Sequence, residues 1–217
     1  MEEKIFQFLI YYPIFLISLI VHEVCHGLVA LKKGDPTAKY MGRLTLNPLS
    51  HMDPVGTVIF PILAVFTGFI PFAWAKPVPV NPMNFKNRTE DMFWVALAGP
   101  ASNFVLAFFA AWIYGMTVKY GQGVFSPQTI HIILDLSKLA LILNLALFTF
   151  NLLPISPLDG SKIIGRFLPY NIRHVFEELN PMYGMMILLA LFMTGLIRLI
   201  SIPIFALANL LLQLFRF

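Results

Sequence analysis

Apolar runs of about eighteen residues or more recur along this chain, and a run of that length is long enough to cross the hydrocarbon of a bilayer. They extend roughly from Ile5 to Leu31, Pro54 to Ala75, Met92 to Met116, Ile130 to Pro154 and Pro181 to Ile200, with a last stretch from Pro203 to Phe217. A soluble globule could not cover them, because 12% of the residues are charged against 58% hydrophobic, too little polar surface to wrap such a core. The sequence predicts an all-α polytopic membrane protein, a bundle of about five to six transmembrane or re-entrant segments making one integral-membrane domain over residues 1–217.

Two segments depart from simple spanning helices. Residues 34–53, GDPTAKYMGRLTLNPLSHMD, are rich in turn residues around the alternating RLTL, and are expected as a loop with a short strand or small β-hairpin after the first helix. Residues 54–75 contain Pro54, Gly56, Pro61, Gly68 and Pro71 and run into the extended AKPVPVNP. Lys32, Lys33, Lys39 and Arg43 assign the first loop to the cytoplasmic side, and Lys162, Arg166 and Arg173 assign the loop around residue 159 to that side too. An even number of crossings must lie between them, whereas the apolar runs there make three. The proline-broken 54–75 is therefore expected to be re-entrant.

The basic residues lie in these short loops. No Lys/Arg cluster interleaved with aromatics is present, so the net charge of +4 does not point to a nucleic acid partner. A single cysteine, Cys25, excludes a disulfide framework and a Cys-rich metal site. Glu2 and Glu3 stand where a signal peptide would carry positive charge, and the first apolar run is expected to be retained.

Within that first run lies SLIVHEVCHGLVAL. HEVCH fits H-E-x-x-H: on a helix, residues four apart share a face, so His22 and His26 can grip one Zn²⁺ while Glu23 reaches its water as general base. Ser18, His22, Cys25, His26 and Val29 form one stripe, which directs the polar atoms into a bundle interior. Ordinary hydrogen-bonded histidines are the competing reading. It is the weaker one here, because each ionisable group in a membrane span costs on the order of 2 kcal/mol or more, and three within five residues call for a compensating cation.

A catalytic zinc needs a third protein ligand and an open position. Asp159, in PLDG at the end of a span, is one candidate, with helix N-capping as its bland alternative. His51, in the loop before Asp53-Pro54, is its rival, with a turn role as the alternative.

HEVCH in the first span, GPASN at 99–103 and NLLPISPLDG at 151–160 together resemble the site-2 protease family of intramembrane zinc metalloproteases, and GRLTLNPLSHMDPVG and WAKPVPVNP resemble a compact prokaryotic branch of it. The resemblance extends from Val21 to Ile164 and fades over the last fifty residues. It implies that His22, His26 and Asp159 hold the zinc, that Glu23 is the general base, and that Asn151 positions substrate or polarises its carbonyl. Asn103 matches the asparagine that follows Gly-Pro, where a helix-packing hydrogen bond is an equal reading. Larger members carry a PDZ domain, and no insertion between these apolar runs is long enough for one.

The expected activity is hydrolysis of peptide bonds in or near transmembrane segments of membrane-anchored substrates, by a multi-pass protein of the cell membrane. A catalytically silent protein of the same fold that binds partner helices is the first alternative, but binding alone has no need for Glu23. A metal transporter is the second, but it would spread ionisable residues over several spans.

Overall fold

Helix α1 (Glu2–Lys32) forms because its apolar residues meet no breaker between Ile14 and Gly27, and it continues through Pro13. The computed structural model describes residues 2–67, 75–169, 171–173 and 181–215. Ser18, His22 and His26 lie on a buried stripe of α1, while Phe6, Leu9, Ile17 and Leu28 are exposed. In water such exposure would be unfavourable; in lipid it is the expected outer surface. The Ser18 hydroxyl returns a hydrogen bond to the Ile14 carbonyl at 2.8 Å, so it leaves no unsatisfied donor in the span.

Among the described residues there is an isolated bridge, Gln122 to Phe125, and no sheet. The strand or hairpin expected around Arg43–Leu46 is not formed; these residues are bends and coil between the short helix α2 (Thr37–Tyr40) and a 3-10 turn at Pro48–Ser50. Side chains take up the backbone groups that a partner strand would have used. The His51 ring donates from Nε2 to the Thr45 carbonyl at 2.8 Å, and the Thr45 hydroxyl accepts from the Asn47 N–H at 3.1 Å.

Asp35 organises this loop. Fully buried, it accepts from the Asn81 N–H at 2.7 Å, from the Asn84 amide at 2.7 Å, and from the N–H and hydroxyl of Thr37. Burial works to raise its pKa, but the hydrogen bonds from Thr37, Asn81 and Asn84 together outweigh burial and hold it below the ordinary carboxylate value.

Residues 54–67 form two short helical pieces. Asp53 caps a π-helical turn, Pro54–Ile59, by accepting from the N–H groups of Val55 and Gly56 at 3.0 and 2.7 Å. The turn leads into helix α3 (Phe60–Thr67). As a straight helix, 54–67 would rise about 21 Å, short of the roughly 30 Å hydrocarbon. The Tyr12 hydroxyl fastens the turn to α1 by donating to the Thr57 carbonyl at 2.6 Å. Residues 68–74, which include Gly68 and Pro71, lie outside the described residues. The chain is extended from Ala75 to Asn81, and the Lys76 N–H donates to the His51 carbonyl at 2.9 Å. A segment whose two ends share a hydrogen bond cannot have them on opposite faces of a bilayer.

The chain divides into two compact units, residues 1–99 and 100–217, and helix α4 (Arg88–Tyr120) contributes to both. In the first unit, Ala30, Phe85 and Val95 form a small core, and Lys33 pairs with Asp91 at 3.0 Å. In the second, Ala107, Ala110 and Ala111 of α4 pack against Leu141 and Leu145 of helix α5 (Pro127–Asn151) and against Ile204, Ala208 and Leu211 of the last helix, Ser201–Leu214. Small alanine side chains let helices approach where lipid offers no hydrophobic drive. Asn103 donates to the Asn144 side chain at 3.1 Å and Asn144 to the Ala140 carbonyl at 2.9 Å, which assigns Asn103 a helix-packing bond.

Among the described residues four helices are long and apolar enough to cross a membrane: Ile5–Lys32, Arg88–Tyr120, Pro127–Asn151 and Leu196–Leu214. Two shorter apolar helices, Pro54–Leu63 and Met182–Met193, bring the apolar segments to the range expected from sequence.

Exposed Met41 and Met83 flank residues 54–75. Cysteines placed at these two positions in a Cys25→Ser background should react with an impermeant thiol reagent from the same side of the membrane; reaction from opposite sides would refute the re-entrant path. Asp35 makes a second expectation. Its folded pKa is depressed, so its stabilisation is complete above the unfolded value of 3.8 and is lost as pH falls through the lower folded value. Asp35→Asn should lower thermal stability at neutral pH and flatten the acid limb of the stability profile below about pH 4.

Candidate metal centre

Helical spacing brings His22 and His26 together as HEVCH predicts. Their Nε2 atoms lie 2.9 Å apart and the rings meet edge to face with centroids 4.6 Å apart. Both are buried, on the interior stripe of α1.

The second nitrogen of His26 fixes which nitrogen can bind a metal. Nδ1 lies 2.6 Å from the Val95 carbonyl of α4. A carbonyl can only accept, so Nδ1 carries the proton and the neutral ring keeps its lone pair on Nε2, facing His22. This is the tautomer that a metal-ligating histidine needs, oriented by the hydrogen bond of its other nitrogen. Two imidazole nitrogens converging inside a membrane span fit a divalent cation of the zinc type, for which imidazole is a preferred ligand.

Glu23 occupies the adjacent position on α1 and is half-buried. Its Oε2 accepts from the Val78 N–H at 2.7 Å. Val78 lies between Pro77 and Pro79, neither of which has an N–H, so within Pro-Val-Pro the backbone offers one donor and Glu23 takes it. The carboxylate is therefore held by one oxygen to the Pro-Val-Pro backbone.

His51, the rival candidate for the third ligand, is not grouped with the histidine pair among the described residues. Its Nε2 is committed to the Thr45 carbonyl, and its buried Nδ1 has no hydrogen-bond partner. Its backbone carbonyl accepts from the Lys76 N–H instead.

Asp159 and Asn151 lie in the second unit. Asn151 is the last residue of α5, and its amide donates to the Leu147 carbonyl at 2.9 Å. Asp159 is buried and begins helix α6 (Asp159–Gly165), while Leu158 is the capping residue and supplies no side-chain cap. The N-capping alternative for Asp159 therefore does not hold: its carboxylate stands one position inside the helix. The chain doubles back tightly between the two residues. A methyl on Gly160 would stand 2.2 Å from the Leu153 carbonyl oxygen and 2.4 Å from that of Leu152, so only glycine lets the first turn of α6 rest on the end of α5.

The backbone groups of Val78 and Val95 are the parts of the site that the sequence did not reveal. The Pro-Val-Pro pattern was the available signal for the first, since it isolates a single donor. Nothing in the sequence marks the Val95 carbonyl.

Comparison with known proteins agrees with this chemistry. The profile of Peptidase family M50 matches residues 10–194. A Bacillus subtilis (strain 168) protein named "Putative zinc metalloprotease YwhC" is 37% identical over 196 residues, covering 86% of this chain and 85% of its own length. A Mycolicibacterium smegmatis protein named "Putative zinc metalloprotease Rip2" is 30% identical over 182 residues, covering 82% of this chain and 64% of its own length. No solved structure matches significantly. With the apolar spans and the histidine pair already in place, the match over most of its length establishes that this chain belongs to peptidase family M50, the site-2 protease family, and is a zinc metalloprotease built as an integral membrane protein.

Proposed function

We propose that this chain, as one domain over residues 1–217, is an intramembrane endopeptidase of the cell membrane that hydrolyses peptide bonds in or near transmembrane segments of membrane-anchored proteins. The observation that carries the reading is the converging His22–His26 pair within an apolar helix, with the His26 tautomer set by Val95. His22, His26 and Asp159 are the proposed zinc ligands: two imidazoles and a carboxylate leave one tetrahedral position open.

Bound there, zinc lowers the pKa of a coordinated water toward about 7 and polarises the scissile carbonyl. Glu23 removes the proton from the attacking water and later returns it to the leaving amine. The Val78 N–H restrains one carboxylate oxygen and leaves the other to exchange the proton. Asn151, at the mouth of the turn before Asp159, is proposed to hydrogen-bond the substrate backbone. A substrate helix has its carbonyls already paired, so it must unwind locally before Glu23 can act on the attacking water beside it.

The site lies shallow. From His26 to Lys32 α1 rises about 9 Å, and the basic residues beyond it favour the cytoplasmic face. The substrate bond is therefore expected near that face rather than at the bilayer centre.

Metal analysis of detergent-purified protein should find about one zinc per chain, lost in His22→Ala, His26→Ala and Asp159→Ala and kept in His51→Ala. Retention in Asp159→Ala would remove that residue from the ligand set. Glu23→Gln should keep its zinc and cut cleavage of a reconstituted membrane-anchored substrate by about 10²–10⁴-fold; full activity in that variant would overturn the hydrolytic role. Zinc-dependent cleavage itself separates a protease from a silent helix-binding protein or a transporter.

A further inference from the structure

The stretch of α4 that faces the histidine pair carries no side chain where it comes closest. A methyl group on Gly99 would stand 2.3 Å from His26 Nε2, 2.5 Å from His26 Cε1 and 2.6 Å from His22 Cε1. Each distance is far inside van der Waals contact, which for carbon begins near 3.5 Å. The atoms it would strike are the ends of the two rings that converge on each other.

Neither ring can retreat at little cost. His26 is pinned through Nδ1 to the Val95 carbonyl, and both rings are buried on consecutive turns of α1. Val95 and Gly99 are one turn apart on the same helix. One turn of α4 therefore orients His26 from one side with a carbonyl and confronts its other nitrogen with bare backbone.

We propose that Gly99 is a positioning residue of the metal centre: its missing side chain keeps open the space against His26 Nε2 and His22 Cε1, where the two rings converge and a bound zinc needs room, so that any larger residue at 99 excludes the metal. The inference rests on the reading of His22 and His26 as ligands. It assigns the glycine a role opposite to what its helix position alone would suggest. In a helix interior glycine is less favourable than alanine, so a purely structural account expects Gly99→Ala to leave the protein unchanged or more stable.

The test uses full-length protein purified in detergent and zinc alone as the probe. Gly99→Ala should weaken zinc binding at least about 100-fold, the upper range for disturbing groups that orient metal ligands, and cleavage should fall with metal occupancy. Zinc affinity equal to that of the unsubstituted protein would overturn the proposal. A second variant separates a local clash from general misfolding. If the obstacle is the pair of rings, thermal unfolding of the metal-free proteins should show Gly99→Ala lowering the midpoint in the parent but leaving it unchanged or raised in a His22→Ala/His26→Ala background. A midpoint lowered equally in both backgrounds would overturn the assignment. His22→Ala distinguishes the two levels of argument: zinc kept in His22→Ala would remove the histidine-pair reading, whereas zinc lost in His22→Ala but kept in Gly99→Ala would remove the Gly99 inference alone.

Discussion

An extended backbone beside an apolar helix must find partners for its N–H groups, and in this protein the partners are the side chains that matter most. The Ala75–Asn81 segment gives its Lys76 N–H to the His51 carbonyl, its Val78 N–H to Glu23 and its Asn81 N–H to Asp35. In return the guanidinium of buried Arg43 donates to the Lys76 carbonyl at 2.7 Å. Two prolines, Pro77 and Pro79, remove the donors on either side of Val78. The result is a strap in which every named donor does double duty, satisfying backbone and fixing a carboxylate or a loop. Each such bond to a charged group is worth about 1.5–3 kcal/mol where water is scarce. The placement of the Glu23 carboxylate and of the His51 loop are thus set by one stretch of chain.

The contrast between Glu23 and the histidines shows how the site distributes its constraints. His22 and His26 owe their approach to helix geometry alone, since residues four apart must share a face. Orientation comes from elsewhere: His26 from a carbonyl of α4, Glu23 from the strap. A motif of five residues therefore depends on two other segments before its atoms point in useful directions. This is the usual condition for a preorganised centre, in which supporting groups lock the rotamers of the reacting ones.

That division also explains what the sequence disclosed. HEVCH was legible because its pattern lies in side chains at a helical period, and the break in the 54–75 run was legible because its prolines are side-chain signals as well. Asp159 was legible as the start of a helix, although it stands one position inside it and Leu158 occupies the cap position without a side-chain bond. The strand expected at Arg43–Leu46 failed because alternation reports which residues could face a core, not whether a second strand is present; His51 took the Thr45 carbonyl instead. Val78, Val95 and Gly99 were hidden for a common reason. The first two act through backbone N–H and C=O, and the third through an atom it lacks, so no side chain advertises them.

On the re-entrant path proposed for residues 54–75, the hydrogen bond between His51 and Lys76 closes the excursion at its base, and such a segment is independent of the thickness of the bilayer around it. Membranes differ in hydrocarbon thickness by several Å, and spanning helices respond by tilting or by deforming the lipid. A closed excursion anchored at one interface has no second interface to track. The distance from Lys32 to His26, and the strap that holds Glu23, are likewise referred to that single surface. On the proposed path, a thicker or thinner membrane would change the tilt of the spans, α1 included, while the bond that fixes the Glu23 carboxylate to Val78 would have no thickness to match.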